Sequence, residues 1–290
     1  MHPAPSVIIF TVCSGIGFGL LGFLGLGFPD FSGWVAFVFF AVAYLLAVGG
    51  LLASTLHLGN PQRAIRAFTQ WRTSWLSREG WFAVATLVVM AIYGAGLVFF
   101  DTRLTALGWI GTALAVATIF ATSMIYAQLK TVPRWNDWTT SALFLGYSLT
   151  GGALLSNNLT LATYLLAVLG LGQVAWWIIG DKRFAARGHT QGSATGLGGI
   201  GDVRMLEPPH TGTNYLLKEM VYRIARKHAQ KLRVIGILLM SVLPLAILLA
   251  FDVGHLLGAV VVVLHLAGAF VTRWLFFAEA EHVVGLYYGK

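Results

Sequence analysis

Eight apolar stretches, most of them close to the length of a bilayer-crossing helix, fill this 290-residue chain, and nearly all of its basic residues lie on one side of them. They run Ser6–Gly27, Gly33–Leu56, Gly80–Phe100, Ala106–Ala127, Thr140–Leu155, Leu161–Ile179, Val234–Phe251 and Leu256–Phe277. A helix needs about 20 predominantly apolar residues to cross roughly 30 Å of hydrocarbon, and soluble helices apolar on every face are rare. With 57% hydrophobic and 10% charged residues and a mean hydropathy of +0.77, disorder and an ordinary soluble domain are both excluded. The expected fold class is an all-α integral membrane protein with eight transmembrane helices.

The net charge of +8 is explained by lipid topology and not by nucleic acid, because the basic residues sit in loops beside the spans. An even number of spans places both termini and every second loop on one side. That side holds Arg63, Arg66, Arg72 and Arg78 after the second span, Lys130 and Arg134 after the fourth, ten basic residues from Lys182 to Arg233 after the sixth, and Arg273 and Lys290 towards the end. The other side holds Arg103 with Asp30, Asp101 and Asp252. Positive charge marks the cytoplasmic face, and the bias survives leaving out the long loop, which weighs little in that rule. Both termini and the long loops are therefore expected in the cytoplasm. The organisation predicted is six spans over 1–180, a basic cytoplasmic loop over 181–233, and two spans with a tail over 234–290. Cys13, the single cysteine, lies inside the first span, so the chain makes no internal disulfide and ligates no iron–sulfur cluster through thiolates of its own. The N-terminus lacks a basic leader region, and the first span is read as retained.

Gly15, Gly17, Gly19 and Gly22 in the first span let another helix approach closely. Pro244 should kink the seventh. Trp34, Trp81, Trp109, Trp138 and Trp176 fall near span ends, as an aromatic belt does. Gly196–Gly201 matches a dinucleotide fingerprint by spacing, but no strand precedes it and Asp202 follows at once, so it reads as a flexible connector. Asn214–Arg233 reads as a basic amphipathic helix. It serves either anionic lipid headgroups or a soluble partner, and both readings use the same charges.

Ionisable groups at membrane depth are costly and are functional candidates by default. His57 ends the second span and Glu79 opens the third, and they bracket a loop rich in Arg and Trp. An imidazole that donates a hydrogen bond and exchanges a proton, with a carboxylate to pass that proton on, is what a quinone carbonyl needs. The candidate quinone-binding set is His57, Glu79, Arg63, Trp75, Tyr126 and Trp135. The alternative makes His57 a helix cap and pairs Glu79 with Arg78 or Arg72. Arg66, Arg72, Arg78, Lys130 and Arg134 form a basic platform beside the site for a docking partner. His57 with His282 is the one pair that a b-type haem would need, and it ranks below quinone. His265, in mid-span, is expected to hydrogen-bond between helices. No metal motif of the chain's own is present.

The run His57-Leu58-Gly59-Asn60-Pro61, then Arg63-Ala64 and Ser74-Trp75-Leu76-Ser77-Arg78-Glu79, resembles the membrane anchor subunit of the dimethyl sulfoxide reductase family. Thr131-Val132-Pro133 with Trp135, and Arg273-Trp274-Leu275-Phe276-Phe277, are similar to that family as well. The resemblance implies eight transmembrane helices in two four-helix bundles. It also implies an anchor for two partners, an iron–sulfur electron-transfer subunit and a molybdopterin catalytic subunit, and electron exchange with quinone. The molybdopterin and iron–sulfur cofactors belong to those partners, and haem is usually absent from the family. The family's quinone-site histidine and glutamate fall on His57 and Glu79. Two features depart from the best-known member: the basic insert after the sixth span, and a charge bias that puts the His57/Glu79 face in the cytoplasm. The cytoplasmic orientation, with the family analogy, favours the anchor of a cytoplasm-facing sulfite dehydrogenase. Reverse flow in a sulfoxide or polysulfide reductase, a secondary transporter and an inert anchor are the alternatives.

Overall fold

The computed structural model describes residues 1–56, 60–207, 209–210, 212–221 and 228–289. Its long helices, in chain order, are α1 (Pro5–Gly25), α2 (Gly33–Thr55), α3 (Trp75–Phe99), α4 (Thr105–Ala127), α5 (Trp138–Leu155), α6 (Leu159–Ala186), α7 (Ala229–Ala250) and α8 (His255–Ala278). No strand occurs among the described residues. Seven of these helices are long and apolar enough to cross a membrane.

The remaining helix, α5, is 18 residues long, which at 1.5 Å per residue spans roughly 27 Å. It falls short in apolar character because its inward positions are hydroxyls: Thr140, Ser141, Ser148 and Thr150 are all buried. The helix packs against α1, α4, α6 and α8. So enclosed, it needs no apolar surface on every face.

Helix α1 is the most enclosed span, with 83% of its most apolar stretch buried, and it touches α2, α4 and α5. The glycine pattern explains how. A Cβ on Gly17 would collide with the backbone of Ala47 on α2, and one on Gly19 with the Ser148 carbonyl on α5. Small residues let three helix backbones meet along one axis.

Pro244 acts through its missing N–H, which frees the carbonyl four residues back. That carbonyl belongs to Met240. The segment Leu238–Val242 loosens into a π-turn, and His265 Nδ1–H on α8 donates to Met240 O at 2.7 Å. His265 thus bonds between helices as expected, and the proline supplies the acceptor.

Several boundaries differ from the sequence expectation. Helix α3 starts at Trp75, five residues before Gly80, so Glu79 lies inside the helix. Helix α6 runs on to Ala186 and carries Asp181, Lys182 and Arg183 within it. Of the expected helix Asn214–Arg233, the structure shows Tyr215–Glu219, capped by Asn214, and the start of α7. Tyr222–Lys227 lie outside the described residues. The Gly196–Gly201 stretch follows a short helix, Gln191–Thr195, and not a strand. Trp34, Trp109 and Trp138 are exposed, but Trp176 is 2% exposed. It leaves the aromatic belt to stack on Phe276.

The N-terminus, the α4–α5 loop, the α6–α7 insert and the C-terminus gather at one end. The Met1 ammonium donates to Ala280 O at 2.7 Å, Val283 N to Thr131 O at 3.0 Å, and Asn214 Nδ2 to Tyr288 Oη at 3.0 Å. Ion pairs fasten the same end. Arg233 reaches both Asp181 and Glu279 at 2.7 Å, Arg134 pairs with the same two carboxylates, and Arg183 meets Asp137 at 2.8 Å.

Candidate functional site

Beside this fastened end lies a cavity of about 630 Å³. Val7 and Phe10 of α1, Ser54 and Thr55 of α2, Glu79 and Val84 of α3, and Tyr126 of α4 form its walls. Asn60, Arg63 and Phe68 come from the loop between α2 and α3. The loop owes its shape to Pro61–Gln70, a 3₁₀ segment, and is held to α3 by Trp81 Nε1, which donates to Phe68 O at 3.0 Å. The lining is mostly apolar with a few convergent polar groups, in the size range of small-molecule sites.

Among the described residues, Glu79 is the one carboxylate on this wall. It is 3% exposed and accepts a hydrogen bond from Thr122 Oγ1 on α4 at 2.5 Å. Among the described residues it forms no ion pair, so the pairing with Arg78 or Arg72 is not what the structure shows. Arg78 instead donates to the carbonyls of Trp71 and Arg72 and lies 4.3 Å over the Trp75 ring. Behind Glu79 the α3–α4 seam is polar as well, with Thr86 and Thr118 hydroxyls 3.1 Å apart.

Tyr126 is braced from behind by an aromatic cluster of Trp135, Phe144, Phe276 and Phe277. The cavity therefore brings together three of the expected residues, Glu79, Arg63 and Tyr126. Trp135 does not line it. Its ring stacks on Phe276 and its indole N–H donates to Phe276 O at 2.9 Å, which makes it the support of Tyr126 and not a wall. Trp75 is also off the cavity, edge-on to Phe120 at 5.8 Å. His57 lies outside the described residues, two positions after the lining residue Thr55.

Of the basic platform, Arg66, Arg72 and Lys130 are exposed, whereas Arg78 is half-buried. Arg134 is turned inward: its side chain is 11% exposed, paired with Asp181 and Glu279 and set over Trp176. Two carboxylates brought close by folding outcompete solvent for it, and sequence distance hid them. Arg273 is likewise 3% exposed and faces the rings of Phe144, Tyr147 and Phe276 at 3.9, 4.8 and 5.2 Å.

His282 caps the C-terminal 3₁₀ segment through Nδ1, which accepts from Val284 N at 3.0 Å. Burial and the nearby N-terminal ammonium hold its imidazole below the usual range. No cluster of three His, Cys, Asp or Glu fit for a metal occurs among the described residues.

Sequence reasoning missed Thr122, Asn60 and Ser54. Thr122 is 43 positions from Glu79. Its one signal is the pair Thr118 and Thr122, hydroxyls four apart on a helix that is otherwise largely apolar.

The chain matches the family described as DMSO reductase anchor subunit (DmsC) over residues 1–178. It is 31% identical to a sulfite dehydrogenase subunit of Allochromatium vinosum, across 99% of this chain and 99% of that protein. It is 33% identical to anaerobic dimethyl sulfoxide reductase chain YnfH of Escherichia coli, across 50% of this chain and 54% of the relative. No solved structure matches. A multi-pass helical membrane protein with this match over more than half its length belongs to the DMSO reductase anchor subunit family.

Proposed function

We propose that this anchor exchanges electrons between a quinone in the Glu79 cavity and a cytoplasmic iron–sulfur subunit, which is fed in turn by a molybdopterin subunit that oxidises sulfite. The observation that carries the reading is the cavity itself. It is large enough for a quinone headgroup, mostly apolar, and has one carboxylate and one tyrosine on its wall. These features fit a planar ligand with two carbonyl oxygens. When bound, the quinone supplies two-electron, two-proton redox chemistry. The residues of the chain bind and orient it and handle protons: Glu79 at its carboxyl oxygens, Tyr126 and Arg63 through their polar tips. His57, close in sequence to Thr55, is proposed as the hydrogen-bond donor to a quinone carbonyl.

Eight spans are proposed, with α5 as the fifth. The contacts α1–α2, α2–α3, α3–α4 and α4–α1 close one ring, and α5–α6, α6–α7, α7–α8 and α8–α5 a second, which supports two four-helix bundles. A bacterial inner membrane is proposed as the location, with the fastened end, rich in Arg and Lys, in the cytoplasm; the charge rule supports that orientation. Residues 1–180, 181–233 and 234–290 then serve as the quinone-binding spans, the basic insert and the closing pair. Arg66, Arg72 and Lys130, exposed near the cavity, are the proposed docking contacts. Sulfite as the donor rests on the full-length likeness to a sulfite dehydrogenase subunit. The likeness of half the chain to a sulfoxide reductase chain supports the reverse direction as the second reading.

The test is purification of the intact complex followed by extraction of lipid-soluble cofactors and assay with sulfite. Co-purified quinone, molybdenum and iron with sulfite-dependent quinone reduction are expected. A complex that turns over sulfite with dyes yet neither binds nor reduces quinone contradicts the proposal.

A further inference from the structure

The Thr122 hydroxyl has one hydrogen and two acceptors within reach. Glu79 Oε1 lies at 2.5 Å and the Thr118 carbonyl at 3.0 Å. It can serve one at a time as donor. When Glu79 is a carboxylate, it has no hydrogen of its own and the Thr122 hydrogen must point to it. When Glu79 is protonated, the carboxyl donates to Thr122 Oγ1, and the Thr122 hydrogen turns to the Thr118 carbonyl. The Glu79–Thr122 hydrogen bond is kept in both states with donor and acceptor exchanged; passing from one to the other takes one proton gained or lost at Glu79 and one rotation about the Thr122 Cβ–Oγ1 bond.

We propose that Thr122 is a positioning residue that lets Glu79 change its protonation state inside the cavity wall without movement of α3 or α4. The inference rests on the proposed quinone role of Glu79 for its functional meaning, but the hydrogen-bond exchange stands on geometry alone. The surroundings leave Thr122 this task. Thr122 is itself 6% exposed, and Thr118 and Thr86 beside it are fully buried, so on the α3–α4 seam, away from the cavity, the Thr122 hydroxyl is the carboxyl's hydrogen-bond partner. Helices α1 and α2 present only Val7, Phe10, Leu51, Ser54 and Thr55 to the cavity. The charged or titratable groups facing Glu79 are Arg63 from the loop and Tyr126 from α4. Arg273 on α8 stands further back, sharing Phe144 and Phe276 with Tyr126. Arg78 is turned to loop carbonyls, and His57 lies outside the described residues. The Thr118 carbonyl that Thr122 uses is held in place by the helical backbone of α4.

Membranes carrying the whole complex would be compared for wild type, Thr122→Val, Thr122→Ala and Thr122→Ser. Two readouts are used: the infrared band of the protonated Glu79 carboxyl, assigned by its loss in Glu79→Gln, and the pH profile of quinone-linked turnover. A hydrogen bond to a charged group changes the balance between charge states by roughly tenfold or more. Valine should therefore move the carboxyl band to higher frequency and displace the turnover profile by about one pH unit or more. Serine should restore both. Alanine, which also lacks the hydroxyl, gives the same reading if the valine variant does not assemble. Hydroxyl-free variants with wild-type band and profile overturn the proposal, as does a serine variant that behaves like valine. If the band moves as expected but Glu79→Gln keeps wild-type quinone turnover, Thr122 still governs Glu79 and it is the quinone reading that falls.

Discussion

At the scale of single residues, the account turns on Glu79. A carboxylate in an apolar wall, with one hydroxyl for company, is costly to keep unless it is used. Glu79→Gln keeps the shape and the hydrogen bond to Thr122 but carries no proton. It is expected to slow quinone-linked turnover about 100-fold, the lower end of the usual contribution of a positioned acid or base. Dye-linked activity should be retained, and the pH profile of the residual turnover should be flat. A variant with parental turnover and pH dependence would remove the proton role. His57→Ala should abolish quinone-linked turnover while the complex stays assembled, read by dye-linked activity in the same membranes. Asp137 tests a different chemistry, at the fastened end. Burial works against its charge, but the Thr139 N–H and the Arg183 guanidinium outweigh that and hold its carboxyl below the usual range. A depressed native value means that its contribution is full above the ordinary carboxylate value near 4 and is lost as pH falls through the native one. Asp137→Asn should therefore lower thermal stability in detergent at pH 7, with the gap to wild type closing towards pH 3.

At the scale of helices, patterning by type was legible and pairing was not. The apolar runs located every long helix, seven of them long and apolar enough to span, with ends displaced by up to seven residues, because a bilayer demands an apolar surface over a fixed length. Pro244 announced a distortion, because the ring always removes a donor. What the pattern could not carry was the partner that takes the freed carbonyl. His265 is 25 positions away from Met240, and its role depends on the register of α8 against α7. Likewise the boundaries hid Glu79 inside α3, because the helix runs back past polar Ser77 and Arg78 to its start after Ser74. Arg134 read as a free surface charge until Asp181 and Glu279 arrived from α6 and the end of α8. The α7–α8 device has a measurable signature. His265→Ala should cost about 1–2 kcal/mol in the wild-type background, the penalty for an unsatisfied buried carbonyl. In a Pro244→Ala background the restored N–H can take Met240 O, so the same change should cost less than half as much. A double-mutant cycle by thermal unfolding in detergent measures that coupling, and equal costs in the two backgrounds would count against the proline–histidine linkage.

At the scale of the whole molecule, one end of the bundle holds the termini, the insert, the ion-pair network and the cavity. On the proposed reading, that convergence would let a single soluble partner cover the exposed Arg66, Arg72 and Lys130 while its last redox centre sat close to the cavity. The sidedness is tested in a Cys13→Ser background by placing a cysteine at Ser193. It should react with an impermeant thiol reagent only after cells are broken, and reaction in intact cells would reverse the orientation. The central claim, that the Glu79 cavity holds quinone, is tested most directly by labelling the intact complex with a photoreactive quinone and mapping the attached residues by mass spectrometry. Label is expected on the α2–α3 loop and the first turns of α3, between Asn60 and Leu87, displaced by excess quinone and diminished in Glu79→Gln. Displaceable label confined to other helices, or label on this segment that neither competing quinone nor Glu79→Gln alters, would contradict it.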